Sequence, residues 1–305
     1  MPRRAVTRPG AGLIELIFKA MEQNHASVGE IVVCPTPIGN LADVTLRALA
    51  ALRAADVIAC EDTRRTGLLL SHHELRSAGC RLVSLHEHNE RERAAGLVRE
   101  AVAGAHVVLV SDAGMPLVCD PGFALVSAAI AADVAVRVLP GPSAAIAALV
   151  ASGLPAGRFQ FEGFLPRARA ELERVLGENP ATLLAFESPR RVAASLGVLA
   201  ELDPERPVAV CRELTKVHEE VVRGSAAELA RRFQESPARG EIVLVVAAAP
   251  HVEHDLGPAV ASVRELIAAG ARPRAAVRAV AKLAGTSANA LYGLSMDDAD
   301  SLGRP

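Results

Sequence analysis

The feature that most constrains this chain is the regular exchange of two periodicities. From Gly29 onward, short apolar runs alternate with longer stretches of helical pattern. Residues 30–34, 56–61, 81–85, 106–110 and 136–139 read as strands. Residues 45–54, a shorter stretch from Thr63, residues 89–104, a segment opening near Pro121 and residues 142–152 read as helices. Asp43 or Thr45 is available to cap the first helix, and Asn89 with Glu92 three positions on has the form of a capping box. Strands separated by helices cannot be joined as hairpins, so this half predicts a mostly parallel sheet covered on both faces.

Past residues 152–157, which contain Gly153, Pro155 and Gly157 and read as a linker, the rhythm changes. Strands are expected at 159–164, 182–187, 207–214, 219–224 and 241–247, with helices at 167–176, 191–202 and 226–235. Their closer succession predicts a mixed sheet with antiparallel members. A chain of 305 residues exceeds what one core usually serves, so two α/β domains are expected, at 28–152 and 158–250. Residues 1–27 read as a disordered extension, their apolar piece being too short for a signal-peptide core. Residues 255–305 read as a basic helical appendage and tail, carrying Arg264, Arg272, Arg274, Arg278 and Lys282.

Composition excludes several functions. The net charge of -2 gives no global attraction to nucleic acid, and with aromatics at 3 % and no Trp a base-stacking surface is not expected. No apolar run approaches the roughly 18 residues of a membrane span. Five scattered cysteines, odd in number and with no C-x-x-C pair, fit a reducing cytoplasm.

The chemistry concentrates where strands end. Strand 106–110 runs without a break into Ser111–Gly122, SDAGMPLVCDPG, whose glycines and prolines stop the ladder and whose Asp112 and Asp120 place carboxylates at its lip. Similar loops follow the first strand, CPTPIGNL at 34–41, and the fifth, PGPSAA at 140–145. Neither G-x-G-x-x-G nor a Walker motif is present, so three small-residue loops at neighbouring carboxyl edges predict a pocket for a ligand without phosphates. His72, His73, His86 and His88 lack ligand spacing with a supporting cysteine, and no metal is expected.

TPIGNL-x-D-x-TLRA, EDTR, SDAG-x-P with DPG, PGPSA, F-E-GFLP, ESP-x-R, RELTK-x-x-E and GE-x-V-L-V-V occur in this order, from about Ile31 to Ala247. On these motifs the chain resembles the bacterial small-subunit (16S) ribosomal RNA cytidine 2′-O-methyltransferases of the tetrapyrrole methylase superfamily. It departs from the family's pattern at Met115, where Thr is usual, and at Cys119, where Ser is usual. The resemblance implies a two-domain class III S-adenosylmethionine (SAM) methyltransferase fold, with a mostly parallel N-terminal sheet, a mixed C-terminal sheet and a small C-terminal helical region. It also implies SAM as methyl donor, a homodimer, and 16S rRNA of the small subunit as substrate. SAM carries an ammonium and a sulfonium but no phosphate, so carboxylates and carbonyls rather than lysines should line its site.

Matched to these motifs, Asp112 is expected to make a polar contact to SAM, with Pro37, Ser111, Ala113, Gly114 and Met115 shaping the wall. Ser143 and Ala144 would complete the loop end, and Leu214 would cover the adenosine. To assist proton removal, as base or cationic group, the candidates are Glu61 and Asp62 in EDTRR, Glu187 in ESPRR, and Arg212, Glu213 and Lys216 in RELTK, with Lys216, Glu187 and Glu213 preferred. Lys216 near Arg212 is expected to have a lowered pKa and so to accept a proton, or alternatively to hold a phosphate. Glu187 and Glu213 could instead be ion-paired with Arg190 and Arg212. Arg64, Arg65, Arg167, Arg169, Arg190 and Arg191 follow strand-end motifs and are expected to grip the RNA backbone. Two other functions share these features: a tetrapyrrole methylase, whose arginines would bind carboxylates, and a non-enzymatic ribosome-binding module relying on the basic tail.

Overall fold

Burial alternates with period two along the first strands. Val32, Ile58 and Val108 pack to one side with Ala48, Leu52 and Leu69, while Ile31, Val57 and Val107 pack to the other with Leu97, Ala101 and Leu125. Both faces of this sheet are therefore core, as parallel sheets require. The computed structural model describes residues 29–75, 79–249, 256–284 and 288–296. The expectation of a disordered extension at 1–27 falls outside them.

The first sheet comprises β1 (Glu30–Val33), β2 (Val57–Cys60), β3 (Arg81–Ser84), β4 (His106–Val110) and β5 (Ala135–Val138). All pairs are parallel, in the order β3-β2-β4-β1-β5. The helices between them are α1 (Leu46–Ala54), α2 (Thr63–His72), α3 (Glu90–Val102) and α4 (Phe123–Ala131), and α5 (Ala144–Ser152) follows β5. Thr45 caps α1, accepting from Ala48 N. The capping box at Asn89 does not form. The Asn89 side chain is turned back instead, accepting from His86 N at 2.9 Å and donating to Ser84 O at 3.2 Å, so it holds the β3–α3 turn. The helix expected near Pro121 begins two residues later, with Gly122, at φ 128°, as the N-cap of α4.

The second sheet comprises β6 (Phe159–Phe164), β7 (Thr182–Glu187), β8 (Pro207–Arg212), β9 (Glu220–Ser225) and β10 (Ile242–Val246), in the order β6-β7-β10-β8-β9. β6 and β7 are parallel, whereas β10 runs antiparallel to both its neighbours and β9 antiparallel to β8. On one face lie α6 (Arg169–Gly177), α7 (Val192–Leu202) and α8 (Ala226–Glu235).

The opposite face takes a helix from the first half of the chain. Ala145, Ala148 and Leu149 of α5 pack with Ile38 against Leu184, Ala209, Cys211, Val243 and Val245. Alanines let the helix lie close to the sheet, and truncating the buried Leu149 to Ala would cost about 2–5 kcal/mol. Arg223 on β9 ties the end of α5 down, donating to the carbonyls of Ser152 (3.0 Å) and Ala151. The segment that reads as a linker thus follows a helix already seated on the second sheet.

The chain divides into two compact units, up to Ala249 and from Pro250 onward. In the second, α9 (Gly257–Ala268), α10 (Pro273–Leu283) and α11 (Ala288–Met296) enclose Val263, Ala276, Val277, Val280 and Leu291, so this segment is a packed helical unit.

Candidate functional site

Strand order places the carboxyl ends of β4, β1 and β5 side by side, and their loops are locked together there. Thr36 and Gly114 exchange backbone hydrogen bonds of 2.9 and 3.0 Å. The Thr36 hydroxyl donates to Ser111 O and the Ser111 hydroxyl to Gly114 O, both at 3.1 Å. A Cβ on Gly141 would stand 2.4 Å from Pro35 Cγ, so only glycine lets the first and third loops meet.

The Ser111–Gly122 loop is held in unusual backbone states. Gly114 (φ 82°) and Gly122 (φ 128°) tolerate them, but Leu117 (φ 71°) and Cys119 (φ 63°) are left-handed at a steric cost of about 1–3 kcal/mol each. The loop after β8 repeats the pattern at Glu213 (φ 50°) and Thr215 (φ 67°). It reaches the first loop, where Asn40 N donates to the Thr215 hydroxyl at 3.1 Å.

Two adjoining cavities lie among these loops, sharing Ile38, Ala113 and Glu241. The larger, about 410 Å³, is lined by apolar groups including Met115, Val118, Phe164, Phe186, Leu214 and Val243. Its ionisable wall is acidic: Asp120, Glu187 and Glu241, with no lysine or arginine. The smaller, about 340 Å³, contains Arg65 and Lys216 beside Asp112 and Glu241.

The nine residues expected to form the cofactor wall all line these cavities. Ala113, Gly114, Met115, Ser143, Ala144 and Leu214 face the larger, whereas Pro37, Ser111 and Asp112 face the smaller. Asp112 already has partners: its carboxylate accepts from Asp62 N (3.1 Å) and pairs with Arg65 (3.0 Å). Cys119 lies against Gly163, 3.2 Å from where a Cβ there would stand, and Met115 packs toward the core of the first sheet.

Lys216 overturns an expectation. Burial alone would lower its pKa, but hydrogen bonds to Glu213 (2.8 Å) and Glu241 (3.0 Å) outweigh that and raise it, so the amine stays a cation. Arg212, which was to depress it, pairs with Glu220 at 2.6 Å instead. Glu213 is correspondingly held below the usual carboxylate range, chiefly by its bond from Lys216. Glu187 is buried, with its side chain 1 % exposed. Its oxygens accept from Ser188 N (2.7 Å) and the Ser195 hydroxyl (2.5 Å), and Arg191, not Arg190, is the nearby cation at 3.5 Å.

The arginines separate by environment. Arg64 bonds the carboxylate of Asp62 at 2.8 Å, and Arg169 pairs with Glu173 and Glu201. Arg191 spends its guanidinium on the carbonyls of Leu165 (3.2 Å) and Pro166 (2.6 Å). Arg167 and Arg190 are exposed, and Arg65 alone of these lines a cavity. Asp120, placed at the loop lip by the sequence but given no role there, lines the larger cavity, as do Phe164, Phe186 and Glu241, which were not among the expected site residues. For Asp120, its position in the DPG end of the central loop was the available signal.

A family model described as Tetrapyrrole (Corrin/Porphyrin) Methylases matches residues 30–230. A Ribosomal RNA small subunit methyltransferase I of Micromonospora olivasterospora is 44% identical over 280 residues, covering 89% of this chain and 88% of that protein. The protein of the same name from Escherichia coli O157:H7 is 42% identical, covering 92% and 99%. Among solved structures, Thermus thermophilus uroporphyrin-III C-methyltransferase complexed with S-adenyl homocysteine has the same fold. It superposes with a TM-score of 0.50 at 23% identity, covering 72% of this chain and 97% of that one.

Proposed function

The chain belongs to the tetrapyrrole (corrin/porphyrin) methylases, and from that premise we infer that it transfers a methyl group from SAM to a cytidine ribose 2′-oxygen of small-subunit rRNA. The observation that carries this reading is the pair of adjoining cavities, of which the smaller holds Arg65 and Lys216 and the larger neither lysine nor arginine. The larger has a volume in the range of small-molecule sites and an apolar, acidic wall free of lysine and arginine. That wall suits a ligand bearing an ammonium and a sulfonium, and it disfavours a polycarboxylate macrocycle. The smaller, with Arg65 and Lys216, suits a phosphate-bearing nucleotide.

When bound, SAM supplies an electrophilic methyl carbon. The chain's own work is to position and exclude water. Met115, Phe186 and Leu214 enclose the donor, and the interlocked Thr36–Gly114 loops hold its wall rigid, which matters because alignment supplies much of such a rate. Lys216, fixed as a cation by two carboxylates, and Arg65 hold the RNA backbone rather than remove a proton. Exposed Arg167 and Arg190 extend that contact. The near-neutral net charge makes the assembled subunit, a preformed surface, the better substrate than naked RNA, and the setting is the cytoplasm. A homodimer is the form proposed, supported by the exposed apolar side chains of Phe123 (72%) and Val150 (74%).

Incubation with methyl-labelled SAM and either purified small subunits or deproteinised RNA, followed by nucleoside analysis, tests this. Label on the ribose of a cytidine, mainly in the subunit sample, is expected. Label on a base refutes the 2′-O assignment, and equal labelling of naked RNA refutes the subunit preference.

A further inference from the structure

The described carboxylates lining the two cavities are Asp112, Asp120, Glu187 and Glu241. Three are committed. Asp112 is ion-paired with Arg65, Glu241 with Lys216, and Glu187 accepts hydrogen bonds on both oxygens. Asp120 makes no ion pair among the described residues. It lines the larger cavity, while its neighbours Ser111 and Asp112 line the smaller, so it stands at the wall between them. A group there borders both the donor pocket and the smaller cavity that holds Arg65 and Lys216.

We propose that Asp120 is the proton acceptor of the methyl transfer. This rests on the reading of the larger cavity as the SAM site. As the ribose oxygen bonds to the methyl carbon, the carbon–sulfur bond breaks with its electron pair returning to sulfur. The hydroxyl proton passes to the Asp120 carboxylate and later to solvent. Charge balances, since the sulfonium and the carboxylate both become neutral.

The surroundings suit that task. Burial, then the charge of Glu61, pushes the Asp120 carboxyl up to about 6, with Asp112 adding to the effect and the Ser111 hydroxyl partly opposing it. Glu61 at the end of β2 is itself raised, first by burial and then by Asp112, with Arg65 and His86 opposing. From the second sheet, Glu187 and Glu241 share the cavity, each held by its own partners. A base titrating near the working pH is the most effective kind. Cys119 at positive φ and the glycine after Pro121 fix the backbone on either side of Asp120.

The test compares wild type with Asp120→Asn and Asp120→Glu on assembled small subunits. Calorimetry measures SAM affinity, single-turnover kinetics measures the rate against pH, and carbon-13 NMR follows the aspartate carboxyls. Asp120→Asn should lower the saturated rate by about 10²–10⁴-fold and abolish its acid limb near pH 6. SAM affinity should fall far less than the rate does, since Glu187 and Glu241 keep the wall acidic and a transition-state contact is being removed. Asp120→Glu should restore part of the rate, which a folding defect would not. The carboxyl resonance lost in Asp120→Asn should titrate near 6 in wild type. An unchanged rate in Asp120→Asn overturns the proposal, as does weaker SAM binding with an unchanged saturated rate, which would make Asp120 an anchor for the SAM ammonium. A carboxyl titrating in the ordinary aspartate range overturns it too. Wild type that binds no SAM overturns the underlying functional reading as well, and that result is separate from every comparison of variants.

Discussion

Glu187 was a candidate base, and its surroundings make it a fastener instead, a difference that stability measurements can resolve. Its two oxygens take a backbone bond from Ser188 and a hydroxyl bond from Ser195 on α7, within an almost wholly buried side chain. Hydrogen bonds to a charged group contribute about 1.5–3 kcal/mol each, so losing both in Glu187→Ala should cost about 3–5 kcal/mol. Arg191 does not enlarge the loss. It is 3.5 Å away, partly exposed, and keeps its two carbonyl partners. Glu187→Gln should cost less, about 1–2 kcal/mol, because the amide oxygen can still accept from Ser188 N while its NH₂ donates to a rotated Ser195 hydroxyl. The assay is urea unfolding of the three proteins at neutral pH, read as the shift in midpoint at constant slope. A Glu187→Ala protein that unfolds within about 1 kcal/mol of wild type while its methyl transfer collapses would refute the fastener role, since a group that costs so little to remove is not a fastener.

Asp120 has a folded pKa raised from 3.8 to about 6, so its charge disfavours folding at neutral pH and that penalty is relieved as pH falls through about 6. Asp120→Asn should therefore melt higher than wild type at pH 7.5, with the gap closing below the unfolded aspartate range, as thermal scans across pH would read. Glu213 has the opposite sign. Its depressed pKa stabilises above the unfolded value and loses that contribution as pH falls through the folded one, so Glu213→Gln should narrow its deficit against wild type in acid. Cys119 is exposed and lines the larger cavity, so SAM should slow its alkylation, whereas Cys34, whose thiol burial pushes up to about 12, should stay unlabelled in mass spectra of the native protein. Gly39→Ala would place a Cβ 2.4 Å from Lys216 Cγ and 3.0 Å from the Thr215 hydroxyl, so it should weaken subunit binding while leaving SAM affinity near wild type.

The β-α rhythm alone determined the parallel first sheet, because side chains on strands buried on both faces must be apolar throughout. The Gly- and Pro-rich strand ends likewise marked the loops that now line both cavities, since their residue types reflect backbone states demanded locally. The capping box at Asn89 failed for a reason no local pattern contains: the side chain had a better use in bracing the β3–α3 turn. Only the tertiary structure seated α5 on the second sheet across the apparent linker. It also decided the charges. Arg212 lies four positions from Lys216 in sequence yet pairs with Glu220, and Lys216 finds Glu241 from another strand end. Asp120 is raised first by burial and then by Glu61, which lies at the end of β2, with a smaller contribution from Asp112 of its own loop. A pKa is set by through-space distance and by loss of water, and the spacing of residues along a chain encodes neither until the sheets have brought the strand ends together.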